Sequence, residues 1–329
     1  MKKKTLKTLV SIIIPIYNGS LLIERCLNSV FNQIGNFNLE VIVIDDGSTD
    51  NSIALLTSYP KPIIILRQEN QGPATARNKG IEKSTGKYLA FLDADDYWES
   101  TFLKETVTFL EKKPEAIAVS VGQIHKIINK PYCIMPHLLN EKHNIQKEGV
   151  ILDNFYGFWV NHEHVCTGSV LMRTAIVKQT GGQRPELRIT EDLEFWAYTA
   201  TFGKWGFIPN ILFVSDGNLV TKEQGWFSKN KKRWASAPSV EEWESRIIKR
   251  LLQNQLKEFN SAKGLVAKNL AYSMLLSNRS NLSRKSILKY KHLYPKDKLS
   301  RMMSFFSEFP VLWKIFTKVL FLREKYKRI

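Results

Sequence analysis

The sequence predicts an α/β protein, with a mostly parallel sheet flanked by helices and a helical C-terminal region. Three observations predict it. Short β-branched runs alternate with amphipathic runs of helical spacing through the first half of the 329 residues. The strand runs are apolar throughout, as in strands covered on both faces. Beyond about residue 217 only helical spacing continues.

Residues 10–14 read as the first buried strand. Leu22, Ile23, Cys26, Leu27, Val30 and Phe31 then recur at helical spacing. Residues 41–44 form a second strand ending in Asp45-Asp46-Gly47-Ser48, and Asp50 is placed to cap a helix over 51–58. A strand at 62–66, a helix at 75–83 behind Gly72-Pro73, and a strand at 87–92 closed by Asp93-Ala94-Asp95-Asp96 follow. A helix at 102–110 and a strand at 116–121 complete the regular part. The middle predicts a strand over 165–172 with Gly168 inside it, a turn at Gly181-Gly182, a helix over 191–201 and one or two strands over 205–214. His162 and His164 read as part of a polar strand, because no third metal ligand accompanies them. The helical tail is expected at 240–256, 262–276 and 283–293, with a last helix opening at Pro310.

Apolar residues at 43% and charged residues at 24% exclude a disordered or collagen-like chain. No run of 18 apolar residues predicts a membrane-spanning helix. The basic start, Met1-Lys2-Lys3-Lys4, leads straight into the first strand without a small-residue cleavage site, so no signal peptide is expected. Cys26, Cys133 and Cys166 are too few and too scattered for a disulfide framework, which predicts a cytoplasmic setting.

The formal charge of +17 is unevenly placed. Residues 1–216 carry 23 Lys/Arg and 23 Asp/Glu, whereas 217–329 carry 25 and 8 and so hold the entire excess. Two domains are expected, 1–216 and 217–329, the second a basic region that meets an anionic surface. In the last helix Leu312, Phe316, Val319 and Leu320 share one face and Lys314, Lys318 and Lys325 the opposite one. That composition suits either a membrane interface or docking on the protein itself. The expected location is the inner face of the cell membrane, held peripherally.

Open α/β sheets bind ligands outside the carboxyl ends of their strands. Asp45/Asp46 and Asp93/Asp95 fall at two such ends. Asp93-Ala94-Asp95, read as an extended segment, puts two carboxylates on one side. Mg²⁺ or Mn²⁺ takes one or two carboxylates and completes its shell with phosphate oxygens and water. Gly72-Pro73-Ala74-Thr75-Ala76-Arg77-Asn78-Lys79-Gly80 combines small residues with an arginine able to grip phosphate bidentately. Glu191-Asp192 opens a helix and offers a general base.

In order, these pieces resemble family-2 glycosyltransferases of the Rossmann-like GT-A fold. The matching residues are Val10–Asn18, Val41–Asp50, the Gly72 to Gly80 run, Phe91-Leu92-Asp93-Ala94-Asp95-Asp96 and Thr190-Glu191-Asp192, and the resemblance spans roughly 8–215. It implies an inverting transferase acting on a nucleotide sugar. Pro15 and Tyr17 would line the base pocket, and Asp46 would accept from a uracil. Arg77 would hold the diphosphate, Asp93 and Ala94 would contact the ribose or sugar, and Asp95, with Asp93 beside it, would bind Mg²⁺ or Mn²⁺. Asp192 would be the base, with Glu191 next to it. The implied acceptor is a glycan or lipid-linked hydroxyl in cell-envelope polysaccharide synthesis. Processive members carry Gln-x-x-Arg-Trp followed by membrane spans. Here Asn230-Lys231-Lys232-Arg233-Trp234 has Asn in place of Gln and no span follows, so one or a few transfers per encounter are expected.

Two other classes fit less well. A sugar-1-phosphate nucleotidyltransferase would carry a Gly-rich basic loop after its first strand, where this chain has Pro15-Ile16-Tyr17-Asn18-Gly19. A nucleic-acid-binding protein would account for the basic tail, but no aromatic binding strand or recognition helix accompanies it, so no nucleic-acid partner is expected.

Overall fold

The computed structural model describes residues 7–126, 133–135, 147–216 and 226–326, without the side chains of 133–135, 226 and 229. The basic start at Met1–Lys4 and the Cys133 side chain lie outside the described residues. The chain divides into two compact units, one within Met1–Pro185 and Phe195–Thr221, the other within Glu186–Glu194 and Lys222–Ile329.

The first unit is built on strands β1 (Thr8–Ile16), β2 (Phe37–Asp45), β3 (Ile64–Arg67), β4 (Tyr88–Phe91), β5 (Tyr97–Trp98), β6 (Ala116–Lys126), β7 (Cys133–Met135), β8 (Val150–Ile151), β9 (Val170–Arg173) and β10 (Lys204–Asp216). The main sheet order is β3-β2-β1-β4-β9-β6-β10-β5. β1, β2, β3 and β4 pair in parallel, as do β6 and β10, while β9 runs antiparallel to both β4 and β6. The helices here are α1 (Ile23–Phe31), α2 (Ser52–Ser58), α3 (Pro73–Lys83), α4 (Phe102–Lys112), α5 (Phe155–His162) and α6 (Thr174–Thr180).

Both sheet faces are covered, as the apolar strands require. Val10, Ile12 and Ile14 of β1 pack with Ile23, Cys26, Leu27 and Val30 of α1 and Phe102 and Leu103 of α4. Ile13 points the other way, against α3, where Gly80 leaves no room for a side chain between Ile13 and Ile44. The close approach sets α3 directly on the parallel strands, with its N-terminus beside their carboxyl ends.

Three expectations for this unit change here. Residues 165–172 are not one strand. Gly168 has φ +94°, the Ser169 amide donates to the Cys166 carbonyl, and β9 begins only at Val170. A Cβ at 168 would overlap the Phe213 ring, so this glycine is a turn and a close packing point together. His162 and His164 do not share a strand: His162 ends α5, Glu163 caps it at φ +47°, and His164 lies beyond. Helix α2 starts one residue later than expected, with Asn51 at the cap position, although Asp50 still accepts from the Ser52 amide at 3.0 Å. The segment 205–214, expected as one or two strands, is one strand whose pairing with β6 is interrupted by bulges around Ile208–Phe213.

His164 is fully buried among the rings of Phe155, Phe158 and Phe207, with centroids 4.9 to 6.2 Å away. Neither ring nitrogen has a hydrogen-bond partner among the described residues. Burial, and secondarily His162, push its pKa from 6.5 down to about 3. The folded chain therefore holds a neutral imidazole that the unfolded chain would protonate below its ordinary pKa. The stability associated with this site is present in full above about pH 6.5 and is lost as the pH falls toward 3, at up to about 1.4 kcal/mol per pH unit. Between pH 7.5 and 5.0, wild type is expected to lose about 2 kcal/mol more stability than His164→Leu in denaturant titrations. Equal losses would show that His164 is not the buried titrating group.

The second unit is helical. Helix α7 (Glu191–Thr199) crosses the division between units, which falls after Glu194. It is followed by α8 (Trp226–Trp234), α9 (Val240–Glu244), α10 (Leu256–Leu276), α11 (Ser280–Tyr290), α12 (Lys298–Glu308) and α13 (Pro310–Tyr326). The single helix expected at 240–256 is instead the short α9, started by a Ser239/Glu242 capping box and followed by turns. Those turns set Arg246, which forks onto the buried Glu194 carboxylate at 2.5 and 2.6 Å. A buried carboxylate left unpaired is expensive, so this pair outweighs helical continuity.

Helix α10 packs so tightly that a methyl at Gly264 would overlap the Leu293 carbonyl. Helix propensity alone would make Gly264→Ala stabilising by roughly 1 kcal/mol. The backbone contact reverses the sign, and a loss of about 2 kcal/mol is expected in thermal or denaturant unfolding.

In α13, the apolar face expected as one surface is divided. Trp313, Phe316 and Leu320 are buried, with Phe316 stacked on Phe306 at 4.7 Å and the Trp313 indole donating to the Ser280 carbonyl at 3.0 Å. Each buried side chain contributes roughly 1.5–3 kcal/mol. Leu312 and Val319 remain exposed. Among the described residues no helix is long and apolar enough to cross a membrane.

Candidate active site

The carboxyl ends of β1, β2 and β4 form one acidic and basic cluster in the first unit. β1 pairs with β2 up to Ile16–Asp45 and with β4 up to Ile13–Phe91, so the loops that follow emerge side by side. Pro15 is buried within β1, opposite Ile44. Tyr17 is 48% exposed and free to stack. Asn18 takes the left-handed conformation at φ +51°, and its side chain accepts from the Thr49 amide at 2.8 Å, tying the β1 and β2 loops together.

Asp45 and Asp46 are both buried. Asp45 accepts from the Ser48 amide and pairs with Arg67 at 3.2 Å. Asp46 accepts from the Gln68 side chain and from the Gln71 and Gly72 amides at 2.8–2.9 Å. These three bonds fill most of the four acceptor positions of a carboxylate. Asp46 thus shapes the loop that starts α3, where Gly72 has φ +90° and Pro73 opens the helix.

Arg77, one turn into α3, is 4% exposed. One amino group donates to Asp93 Oδ1 at 2.6 Å and the other to Gln183 Oε1 at 3.2 Å. Gln183 is itself fixed through its backbone. Its amide donates to Asn78 Oδ1 and its carbonyl accepts from Asn78 Nδ2, both at 2.8 Å. Gly182, at φ +81°, lies so close to Asn78 that a Cβ there would overlap its amide. Lys79, by contrast, turns away to the Arg67 carbonyl.

Asp93-Ala94-Asp95 is not extended. The Asp96 amide donates to the Asp93 carbonyl at 3.0 Å, which closes a turn. The two carboxylates still influence one another: burial and then Asp93 push Asp95 up to about 6. Burial, Asp93 and Asp95 push Asp96 up to about 8, and its carboxylate accepts from the Asp216 amide. Ala94 is half-buried against the core. The turn is braced by Arg25, which donates to the Asp95 carbonyl at 2.6 Å and to Asp216 at 2.8 Å. Arg25 and Lys126 both lie over the Tyr97 ring, at 4.9 and 5.1 Å.

Among the described residues no three His, Cys, Asp or Glu side chains converge as metal ligands. The donor set at Asp93 and Asp95 is nevertheless all oxygen, half-buried and mutually repulsive. That fits a hard divalent cation with an incomplete protein shell. Cys26 does not compete for this role: it is fully buried, burial above all raises its thiol pKa, and its Sγ lies 3.6 Å from the Asp93 carbonyl.

Glu191 and Asp192 belong to the second unit. The segment before them is bent by Arg188 and Thr190, both at positive φ. Glu191 is buried and meets Arg233 at 3.4 Å, and Arg233 also donates to the Arg188 carbonyl. Asp192 is half-buried, its Oδ1 accepting from the Leu193 amide at 2.8 Å. Arg233 of the Arg-Trp pair in α8 thus reaches the acidic start of α7 within the second unit.

A mixed sheet of this order, with acidic turns at its strand ends and an arginine of the following helix paired to them, has the GT-A glycosyltransferase architecture. The chain belongs to glycosyl transferase family 2, whose sequence model matches residues 11–178. It is 29% identical over 201 residues to the uncharacterized glycosyltransferase RP339 of Rickettsia prowazekii (strain Madrid E), a match covering 60% of each chain. It is also 29% identical over 195 residues to TuaG of Bacillus subtilis (strain 168), provisionally assigned to teichuronic acid biosynthesis as a glycosyltransferase. That match covers 58% of this chain and 71% of TuaG. S. aureus TarS 1–349, solved with UDP-GlcNAc, shares the fold with TM-score 0.66 and 15% identity, over 94% of this chain and 91% of that one. The mannosyltransferase PcManGT of Pyrobaculum calidifontis, solved with GDP-Man and Mn²⁺, aligns with TM-score 0.56 and 16% identity, over 98% of this chain and 89% of that one.

Proposed function

We propose that this enzyme transfers a sugar, with inversion, from a UDP-sugar to a hydroxyl of a glycan or lipid-linked acceptor in cell-envelope polysaccharide synthesis. The observation that carries the donor reading is the buried Arg77 held against Asp93 beside Asp95. Arg77 would bind the diphosphate by exchanging its contact with Asp93 or Gln183 for a phosphate oxygen, since a guanidinium suits oxyanion contact. Tyr17 would stack on the base and Pro15 would back its pocket, while Asp46 holds the intervening loop and offers its remaining acceptor position to the base. Asp93 and Ala94 would contact the ribose or sugar. Mg²⁺ or Mn²⁺ held by Asp95, with Asp93 alongside, would supply Lewis-acid stabilisation of the leaving diphosphate. Asp192 would take the proton from the acceptor hydroxyl, with Glu191 fixed beside it by Arg233.

The UDP-GlcNAc bound by TarS supports a uridine donor, the Mn²⁺ of PcManGT supports a divalent cation, and TuaG supports an envelope role. The Asn230 substitution in the Arg-Trp motif supports non-processive transfer. Residues 1–216 would form the transferase domain and 217–329 a basic extension that brings it to the anionic inner face of the cell membrane. The test is a panel of UDP-, GDP- and dTDP-sugars assayed by calorimetry and hydrolysis with Mn²⁺, Mg²⁺ or EDTA. UDP-sugars are expected to bind, with affinity falling at least tenfold in EDTA. Pyrophosphate release from a nucleoside triphosphate and a sugar 1-phosphate, without sugar transfer, would overturn the reading.

A further inference from the structure

We infer that α13 presents an insertion face to an anionic bilayer, formed by Val311, Leu312, Ile315, Val319 and Leu322. This rests on the proposed membrane partner of residues 217–329 and names the face that meets it. On a helix of 3.6 residues per turn these five side chains follow one another within an arc of about 100°. Val311 is 72%, Ile315 57% and Val319 61% exposed. They do not belong to the docking stripe, because Trp313, Phe316 and Leu320 occupy the adjoining arc and are buried. The helix is thus apolar on two neighbouring arcs, one used by the fold and one left to solvent. A contiguous exposed apolar arc marks a contact surface.

Charge selects the occupant. Lys314, Lys318 and Lys325 are exposed on the arc that borders Val311, and Arg323 is exposed on the border next to Leu312. The apolar arc is therefore flanked by cations on both sides, in a region carrying the chain's entire excess of +17. A second copy of this helix laid against the arc would bring like charges together. An anionic bilayer accepts the apolar arc among its acyl chains and the lysines at its phosphates. The exposed Phe305 and Phe309 at the α12–α13 junction add aromatic surface of the kind found at lipid interfaces.

The test uses the full chain and sedimentation with vesicles of phosphatidylcholine alone or with 30% phosphatidylglycerol, at about 150 mM salt. Wild type is expected to bind the anionic vesicles and not the neutral ones. Ile315→Asp/Val319→Asp should bind at least twentyfold more weakly. Lys314→Gln/Lys318→Gln should bind about 25-fold more weakly, or fivefold per lysine, which is about 1 kcal/mol each. These positions are exposed, so both variants should keep wild-type melting and nucleotide-sugar binding. Anionic-vesicle binding that the Asp variant leaves unchanged would overturn the assignment of this face while leaving the membrane reading intact. No vesicle binding by wild type would overturn both. Concentration-dependent dimerisation that the Asp variant abolishes, without vesicle binding, would assign the face to a second copy instead.

Discussion

Arg77→Ala is expected to weaken UDP-sugar binding about 30-fold or more, because truncating one partner of a buried charged pair costs about 2–5 kcal/mol. Two effects add. The cation proposed to hold the diphosphate is lost, and Asp93 is left beside Asp95 without its 2.6 Å partner. Both act on the phosphate end, so affinity for uridine should change little while affinity for UDP collapses. Arg77→Lys keeps the charge but not the fork between Asp93 and Gln183, and should recover only part of the loss. Gln183→Leu should move UDP affinity in the same direction by a smaller amount, since it removes only the acceptor at 3.2 Å. Calorimetry on the folded variants decides the matter. UDP affinity unchanged in Arg77→Ala would remove Arg77 from the diphosphate site.

Asp192→Asn is expected to lower turnover about 10²- to 10⁴-fold, the range a positioned general base supplies. The substitution is mild in structure. The carboxamide oxygen can still accept from the Leu193 amide, so the start of α7 keeps its local bond. Donor affinity should therefore stay within about threefold of wild type, and the defect should appear in single-turnover transfer. Turnover close to wild type would exclude Asp192 as the base. Glu191→Gln is a useful companion, because its carboxylate already faces Arg233. Its effect should include a loosening of α8 that Asp192→Asn lacks.

The residues that carry these predictions differ in how visible they are in one dimension. Asp46, Asp93 and Asp95 stand out because they follow buried strands, at the carboxyl ends where open α/β sheets bind ligands. Arg77 stands out because small residues surround it. Gln183 carries no such signal. It follows a glycine turn, and only the reciprocal bonds with Asn78, 105 residues away, show that it holds Arg77. Arg25 looks like an ordinary helix-surface cation until it is found bracing Asp95 and Asp216. Asp216 was accessible to the same rule as the others, as an acid closing a buried strand, but the bulges of β10 blurred that strand's end.

Two segments depart from their local pattern for the same reason. Helical spacing at 240–256 and strand-like composition at 165–172 are local signals, and each was outweighed by a partner distant in sequence. Glu194 pairs with Arg246 in the first segment, and the Phe213 ring meets Gly168 in the second. The two histidines depart for a local reason. Their spacing of two suggested a strand, yet a left-handed cap at Glu163 separates them and leaves one inside an aromatic box.

By itself, the sequence determined the alternation of buried strands and helices, the acidic turns at the strand ends and the charge asymmetry of the tail. These depend only on the order of apolar, small and charged residues. The tertiary structure alone decided which arc of α13 is covered, that the Asp93–Asp95 segment turns, and which side chain fixes Arg77. Each of those depends on groups brought together by folding across tens to more than a hundred residues, a proximity that no local pattern encodes.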